Sequence, residues 1–320
     1  MQTRPGDRRK RISRSRALQD PSRKELSLIL RRLCARAALA LALGVMASAH
    51  AHGDSSDRAK PMKIYIFADL EGISGMPSRE FVRSDGRYFE KGRLCYAWDI
   101  NACIEGCFKA GADGVIVRDG HGSGKSAILS QLDPRAEVIQ GQTPVRMLRI
   151  EECDAVILLG YHAMAGTPEA FSSHTYSSKT VRNMWMNGRL AGEIGIDAGI
   201  VSDYGLPIIM VSGDDKACRE AEEWIPGVVT CRVKDGLSWE TARTLPLDEA
   251  HKLIEAKTIE AIGKIGSIRP IEVARPVTIR KQMIGQIRVP DPSVRPDIRL
   301  IDQSTAEATA GTVEKAFLWR

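Results

Sequence analysis

Apolar residues along this chain fall into short unbroken runs separated by segments of helical spacing. Lys63 to Ala68, Gly114 to Val117, Ala155 to Leu159 and Leu206 to Val211 are β-branched or aliphatic runs with little polar alternation, as expected of strands buried on both faces. Between the first two lies an amphipathic segment, Glu90 to Ala110, with Gly111 placed to close it. Asp214-Asp215 predicts the cap of a helix through Trp224 that Pro226-Gly227 ends, Val228 to Val233 reads as another strand, and Pro246 to Ile262 as another helix. This alternation predicts an α/β fold, a mostly parallel sheet flanked by helices, over residues 62–265. Asn187-Gly188, between Met184-Trp185-Met186 and Arg189-Leu190, predicts a hairpin inserted into that scheme. After Gly266, Ile/Val runs broken by proline, such as Pro270-Ile271-Glu272-Val273 and Val277-Thr278-Ile279, predict a smaller β-containing C-terminal subdomain over 266–320.

Charge adds a third segment. The formal net charge is +6, but 12 of the 46 Lys/Arg and only 3 of the 40 Asp/Glu lie in residues 1–49, so the remainder is net −3. A basic stretch, the apolar run Ala37 to Met46, and small residues at Ala47-Ser48-Ala49 and Ala49-His50-Ala51 read as a secretory leader over 1–51, cleaved near Ala49 or Ala51. The run is shorter than the roughly 20 residues a spanning helix needs, so no stable membrane anchor is expected, and the mature protein is expected to be periplasmic or secreted. The long basic region places the expected start downstream of Met1. With the basic excess confined to the leader, no nucleic-acid partner is expected. Six cysteines follow the leader, and in a chain of this size they read as buried free thiols.

Candidate chemistry gathers where the strands end. Asp69 and Glu71 lie two apart after the first strand, Asp119-Gly120-His121 follows the second, and Gly160-Tyr161-His162-Ala163 follows the third. Carboxyl ends of parallel strands meet in one crevice, and paired carboxylates there repel unless a cation lies between them. Carboxylate plus imidazole suits zinc better than magnesium or calcium. His174, in a polar loop after the third strand, is a candidate acid/base. Glu193 opens a predicted helix, as a ligand or as a charge favourable to the helix start, and His251 reads as solvated. The stretch Gly120-His121-Gly122-Ser123-Gly124-Lys125-Ser126 invites comparison with a phosphate loop, but Asp119 stands where the pattern requires its first glycine, so nucleotide binding is the weaker reading.

Asp69-Leu70-Glu71-Gly72-Ile73-Ser74-Gly75, Asp119-Gly120-His121, Gly160-Tyr161-His162-Ala163, Ser173-His174, Gly192-Glu193-Ile194-Gly195 and Val211-Ser212-Gly213-Asp214-Asp215 occur in one order. In that order they resemble the zinc-dependent D-aminopeptidase family of the dipeptide-transport operon type. The resemblance implies two zinc ions per chain held by Asp69, Glu71, His121, His162 and Glu193, with Asp69 as the bridge and His174 as the catalytic histidine. It also implies hydrolysis of short peptides or amides with N-terminal D-amino acids such as D-Ala by metal-activated water, and a ring-like homo-oligomer. The chain ends at Arg320, short of the family's usual terminal helix, so oligomer contacts are expected to differ. A non-catalytic periplasmic peptide-binding protein that keeps the metal crevice is the alternative.

Overall fold

The structure, a computed structural model, describes residues 61–319; the expected leader over 1–51 lies outside the described residues. In chain order the main elements are β1 (Lys63–Ala68), α1 (Phe89–Lys109), β2 (Gly114–Asp119), β3 (Glu137–Ile139), β4 (Ala155–Tyr161), β5 (Val181–Met186), β6 (Arg189–Leu190) and α2 (Glu193–Asp203). They continue with β7 (Ile208–Asp214), α3 (Asp215–Trp224), β8 (Val229–Gly236), β9 (Ala242–Thr244), α4 (Leu247–Ile262), β10 (Val277–Met283), β11 (Ile298–Leu300), β12 (Thr305–Ala310) and α5 (Val313–Phe317).

The apolar runs become the centre of a seven-stranded sheet in the order β3-β2-β1-β4-β7-β8-β9, parallel except for the β8-β9 pair at one edge. β4 and β7 are buried along their whole length, which is why their sequences show no alternation. Helix α1 packs on α4, while α2 packs against β4, α3 and α5. Asp214 caps α3 by accepting from the backbone N–H of Lys216 and Ala217, as the paired aspartates predict. All six cysteines after the leader are free and buried, and no described helix is long and apolar enough to cross a membrane.

Asn187 and Gly188 both adopt positive φ, 48° and 82°, the two-residue turn that joins β5 to β6. That hairpin does not extend the main sheet. It joins the C-terminal strands in a second, antiparallel sheet ordered β11-β12-β10-β5-β6, so the second sheet draws on sequence from both sides of residue 266. The expected β run at Ile271 to Val273 forms no strand; Pro270 and Pro276 bracket it and neither has an N–H for a ladder.

Candidate metal centre

The crevice begins with a close approach of two strand ends. Asp69 N donates to Leu159 O at 2.8 Å and Gly72 N to Gly160 O at 2.7 Å. A Cβ on Gly72 would stand 2.0 Å from Tyr161 O, and one on Gly160, whose φ is +74°, 2.3 Å from Asp69 O. Only glycine at both positions lets the Asp69–Glu71 turn lie against the His162 segment.

Six predicted residues converge there. His162 Nε2 lies 3.5 Å from Asp69 Oδ2 and 3.2 Å from Glu193 Oε1; His121 Nε2 is 3.5 Å from Glu71 Oε1, and His174 Nε2 is 3.8 Å from Glu193 Oε1. The ligand atoms of Asp69, Glu71 and His162 fall within 4.8 Å of one another, and so do those of His162, His174 and Glu193. The His162 and His174 rings stack, with centroids 4.0 Å apart and planes 11° from parallel. Glu193 is buried at the first turn of α2 and makes no side-chain cap; its Oε1 accepts from Tyr176 N at 2.7 Å, and Arg146 Nη2 lies 3.3 Å from Oε2.

Each imidazole is held by its other nitrogen. His162 Nδ1 is 3.0 Å from Ala163 O and His174 Nδ1 2.8 Å from Ser172 O. A carbonyl only accepts, so the proton belongs on Nδ1 in both rings, and Nε2 of the neutral ring is a lone pair facing carboxylates. His121 Nδ1 meets Ser126 Oγ at 2.7 Å. Glu71 Oε2 and His162 Nε2 are buried with no hydrogen-bond partner; the His162 Nε2 to Glu193 contact is within ion-pair reach but is not aligned as a hydrogen bond. Acceptors facing acceptors in a buried crevice need a cation between them.

The proton affinities report the same demand. Burial, then the neighbouring Glu71, raises Asp69 well above the usual carboxylate range. Burial works against charge on the imidazoles too, yet Glu71 outweighs it at His121 and raises the ring to about 9, and Glu193 does so at His162. His174 goes the other way: burial, then the proximity of His162, lowers it. Oxygen and nitrogen donors, second-neighbour bonds that fix the rings and unpartnered buried atoms together fit a zinc-type cation. Ser126→Ala is expected to weaken metal affinity by about 10- to 100-fold without unfolding the chain, because the His121 ring loses its anchor; competition against a chelator measures it.

The remaining sequence expectations resolve differently. Asp119 stays out of the crevice: its carboxylate accepts from Tyr96 Oη, Ala127 N and Gln140 Nε2, holding the loop that carries His121. Two of the loop's glycine amides are spent within the fold, Gly120 N on Ala68 O and Gly124 N on His121 O, and Lys125 is exposed. His251 is not solvated. It is half-buried where α4 lies on α1, with Nε2 3.3 Å from Asp99 Oδ1, and Asp99 accepts from both N and Oγ of Ser74 in the loop after Asp69.

Sequence reasoning missed the supports. Asp197, fully buried, accepts from Arg146 Nε and Nη2 and from Tyr161 Oη at 2.6 Å. Lys234, a buried lysine in β8, donates to Glu71 O at 2.8 Å; burial lowers its pKa to about 8. β8 mixes Arg232, Lys234 and Asp235 with its apolar residues, so its sequence carried no signal that this lysine is buried.

Three comparisons bear on this geometry. The M55 peptidase family, described as D-aminopeptidase, matches residues 62–320. A D-aminopeptidase of Bacillus subtilis strain 168 is 37% identical over 215 residues, 66% of this chain and 77% of that protein. The solved structure of the zinc-dependent D-aminopeptidase DppA from Bacillus subtilis, described as a self-compartmentalizing protease, superposes with a TM-score of 0.75 at 32% identity, covering 80% of this chain and 94% of that one.

Proposed function

The chain belongs to the M55 family of D-aminopeptidases, and on that premise we propose that it is a zinc-dependent aminopeptidase hydrolysing short peptides or amides with N-terminal D-amino acids. The observation that carries this reading is the set of buried imidazole Nε2 atoms turned onto the carboxylates of Asp69, Glu71 and Glu193. We assign Asp69, Glu71, His121, His162 and Glu193 to the ligand set and His174 to catalysis. Five donors, three of them carboxylates whose two oxygens can serve two ions, support a capacity of two ions per chain, with His162 bound to one of them through Nε2. Bound zinc would supply a Lewis acid for the peptide carbonyl and a lower pKa for water.

The chain's own residues divide the remaining work. His162 and Glu193 support each other's orientation, with Arg146 and Tyr176 N fixing the second oxygen and the first. His174, neutral because burial disfavours its charge, accepts a proton from the attacking water at Nε2 and returns it to the leaving amine. Asp69, Glu71 and Glu193 are buried, which keeps bulk water from the carboxylates.

The basic-then-apolar leader supports an exported location, with extracytoplasmic peptides as the substrate pool. The self-compartmentalizing relative supports a ring-like homo-oligomer. Metal analysis of purified protein is expected to give about two zinc equivalents, removed by chelation together with activity and restored with it. A panel of D- and L-aminoacyl amides and dipeptides is expected to show turnover of the D-Ala members; a zinc-loaded protein that captures these peptides without cleaving any would reject the enzyme in favour of a binding protein.

A further inference from the structure

Beside the crevice lies a cavity of about 200 Å³, lined among others by Arg118, Gly120, Gly122, Ser123, Thr143 and Arg146. It shares a wall with the centre. Gly120 and Gly122 flank His121, and Arg146 is the residue whose Nη2 reaches Glu193.

Its two arginines are not equivalent. Arg146 is held by Asp197 through two nitrogens and also touches Glu193, so its charge is met. Arg118 is 7% exposed and has no carboxylate within ion-pair distance among the described residues. Its Nη1 donates to Ile139 O at 3.2 Å, and its Nη2 to Gly141 O at 2.8 Å and Thr143 Oγ1 at 3.3 Å. Those neutral acceptors brace the loop over 139–143 but leave the positive charge unbalanced. Its Nε is buried without any partner. The adjacent acid makes no ion pair with it: successive residues of a strand point to opposite faces, Asp119 is committed to Tyr96, Ala127 and Gln140, and its through-space attraction does not outweigh the burial that lowers the Arg118 pKa. A buried guanidinium that is neither paired nor fully bonded, lining a cavity, is a site for an anion.

We propose that this cavity is a subsite for the C-terminal carboxylate of the peptide substrate, with Arg118 as its recognition residue. The assignment rests on the reading of the chain as a D-aminopeptidase acting on short peptides, and adds to it what makes the peptide short. An extended chain advances about 3.3–3.6 Å per residue, so a scissile bond held at the crevice puts a dipeptide's or tripeptide's carboxylate into an adjoining cavity and carries a longer one past it. The volume lies below the roughly 300–1,000 Å³ of ordinary ligand pockets, and admits a residue-sized group. With Nη2 bonded to Gly141 and Thr143, Arg118 offers a carboxylate its charge and a remaining Nη1 N–H, a charge-assisted bond, and the carboxylate is the anion that each of these peptides brings.

Paired substrates test this in the zinc-loaded protein: D-Ala-D-Ala as the free acid, and the same dipeptide with its C-terminus amidated. The free acid is expected to have a kcat/KM about 10- to 100-fold higher, the range of one charge-assisted hydrogen-bonding pair, with most of the difference in KM. Arg118→Gln is expected to collapse that ratio towards one, and Arg118→Lys, which keeps the charge and loses the bonds that hold it to Ile139, Gly141 and Thr143, to leave an intermediate ratio. Equal kcat/KM for acid and amide in the unaltered protein overturns the subsite while leaving the aminopeptidase reading intact, and needs no variant to fold. A ratio that survives in Arg118→Gln overturns the role of Arg118. Hydrolysis of neither compound rejects the activity and the subsite together.

Discussion

Replacing His174 by alanine is expected to lower kcat by about 10²- to 10⁴-fold, the usual contribution of a positioned acid/base, while zinc content stays at the level of the unaltered protein. The argument is geometric. Ser172 O fixes the proton on Nδ1, so Nε2 faces the crevice as an acceptor. The loop is tied down on both sides, by His174 N to Ala163 O at 3.3 Å, by Trp239 Nε1 to Ser173 O at 2.9 Å and by Arg79 Nε to Ser172 Oγ at 3.2 Å. His174 is the outer ring of the stacked pair, with 15% of its side chain exposed against 2% for His162, so it stands between the carboxylates and the entering substrate. Its Nε2 is also the more distant from Glu193, 3.8 Å against 3.2 Å. Turnover of D-Ala amides and metal content measured on the same preparation separate the roles. Activity within a few-fold of normal with zinc intact would end the catalytic assignment, and zinc lost in step with activity would move His174 into the ligand set.

Four of the five proposed ligands were legible because they sit at the ends of apolar runs, where topology forces convergence. A strand buried on both faces announces itself by lacking alternation, and in a parallel sheet the residues just past such strands share one edge. Asp69, Glu71, His121 and His162 need only that rule. Glu193 needed more: at the start of a helix a glutamate ordinarily serves the helix dipole, the resemblance of Gly192-Glu193-Ile194-Gly195 put it among the expected ligands, and its burial against His162 is the structural mark. The supports were illegible for a different reason. Arg146 sits in a loop and Asp197 in a helix, positions where charged residues ordinarily face water, and it takes the packing of α2 against β4 to bury Asp197. Ser126 was visible as the last residue of a false phosphate loop; its hydroxyl on His121 is a contact across a turn that no periodicity reveals. In the fold, the hairpin was readable from Asn187-Gly188, but its partner was not. β5 pairs with β10 nearly a hundred residues later, and β12, Thr-Ala-Glu-Ala-Thr-Ala, lacks the large apolar side chains that mark a strand.

Replacing Asp197 by alanine is expected to destabilise the chain by about 3–5 kcal/mol, the cost of breaking a buried ion pair from one side. The carboxylate is fully buried and accepts from both Arg146 nitrogens, from Tyr161 Oη at 2.6 Å and from Tyr176 Oη at 3.4 Å. Removing it strands a guanidinium between the Phe67 and Tyr176 rings, each 4.7 Å from its centre, with Glu193 as its remaining acid. Arg146 would then lean on Glu193, so metal affinity should fall together with stability. Denaturant unfolding should be followed with metal stripped, because a bound ion stabilises whichever variant holds it better and would mix the two effects. Replacing Asp197 and Arg146 together, by leucine and methionine, removes both charges and is expected to recover most of the loss. If the single variant costs less than about 1 kcal/mol, water must reach the guanidinium. Arg146 would then be an exposed cation beside the ligand shell, and its hold on Glu193 would weaken as salt is added.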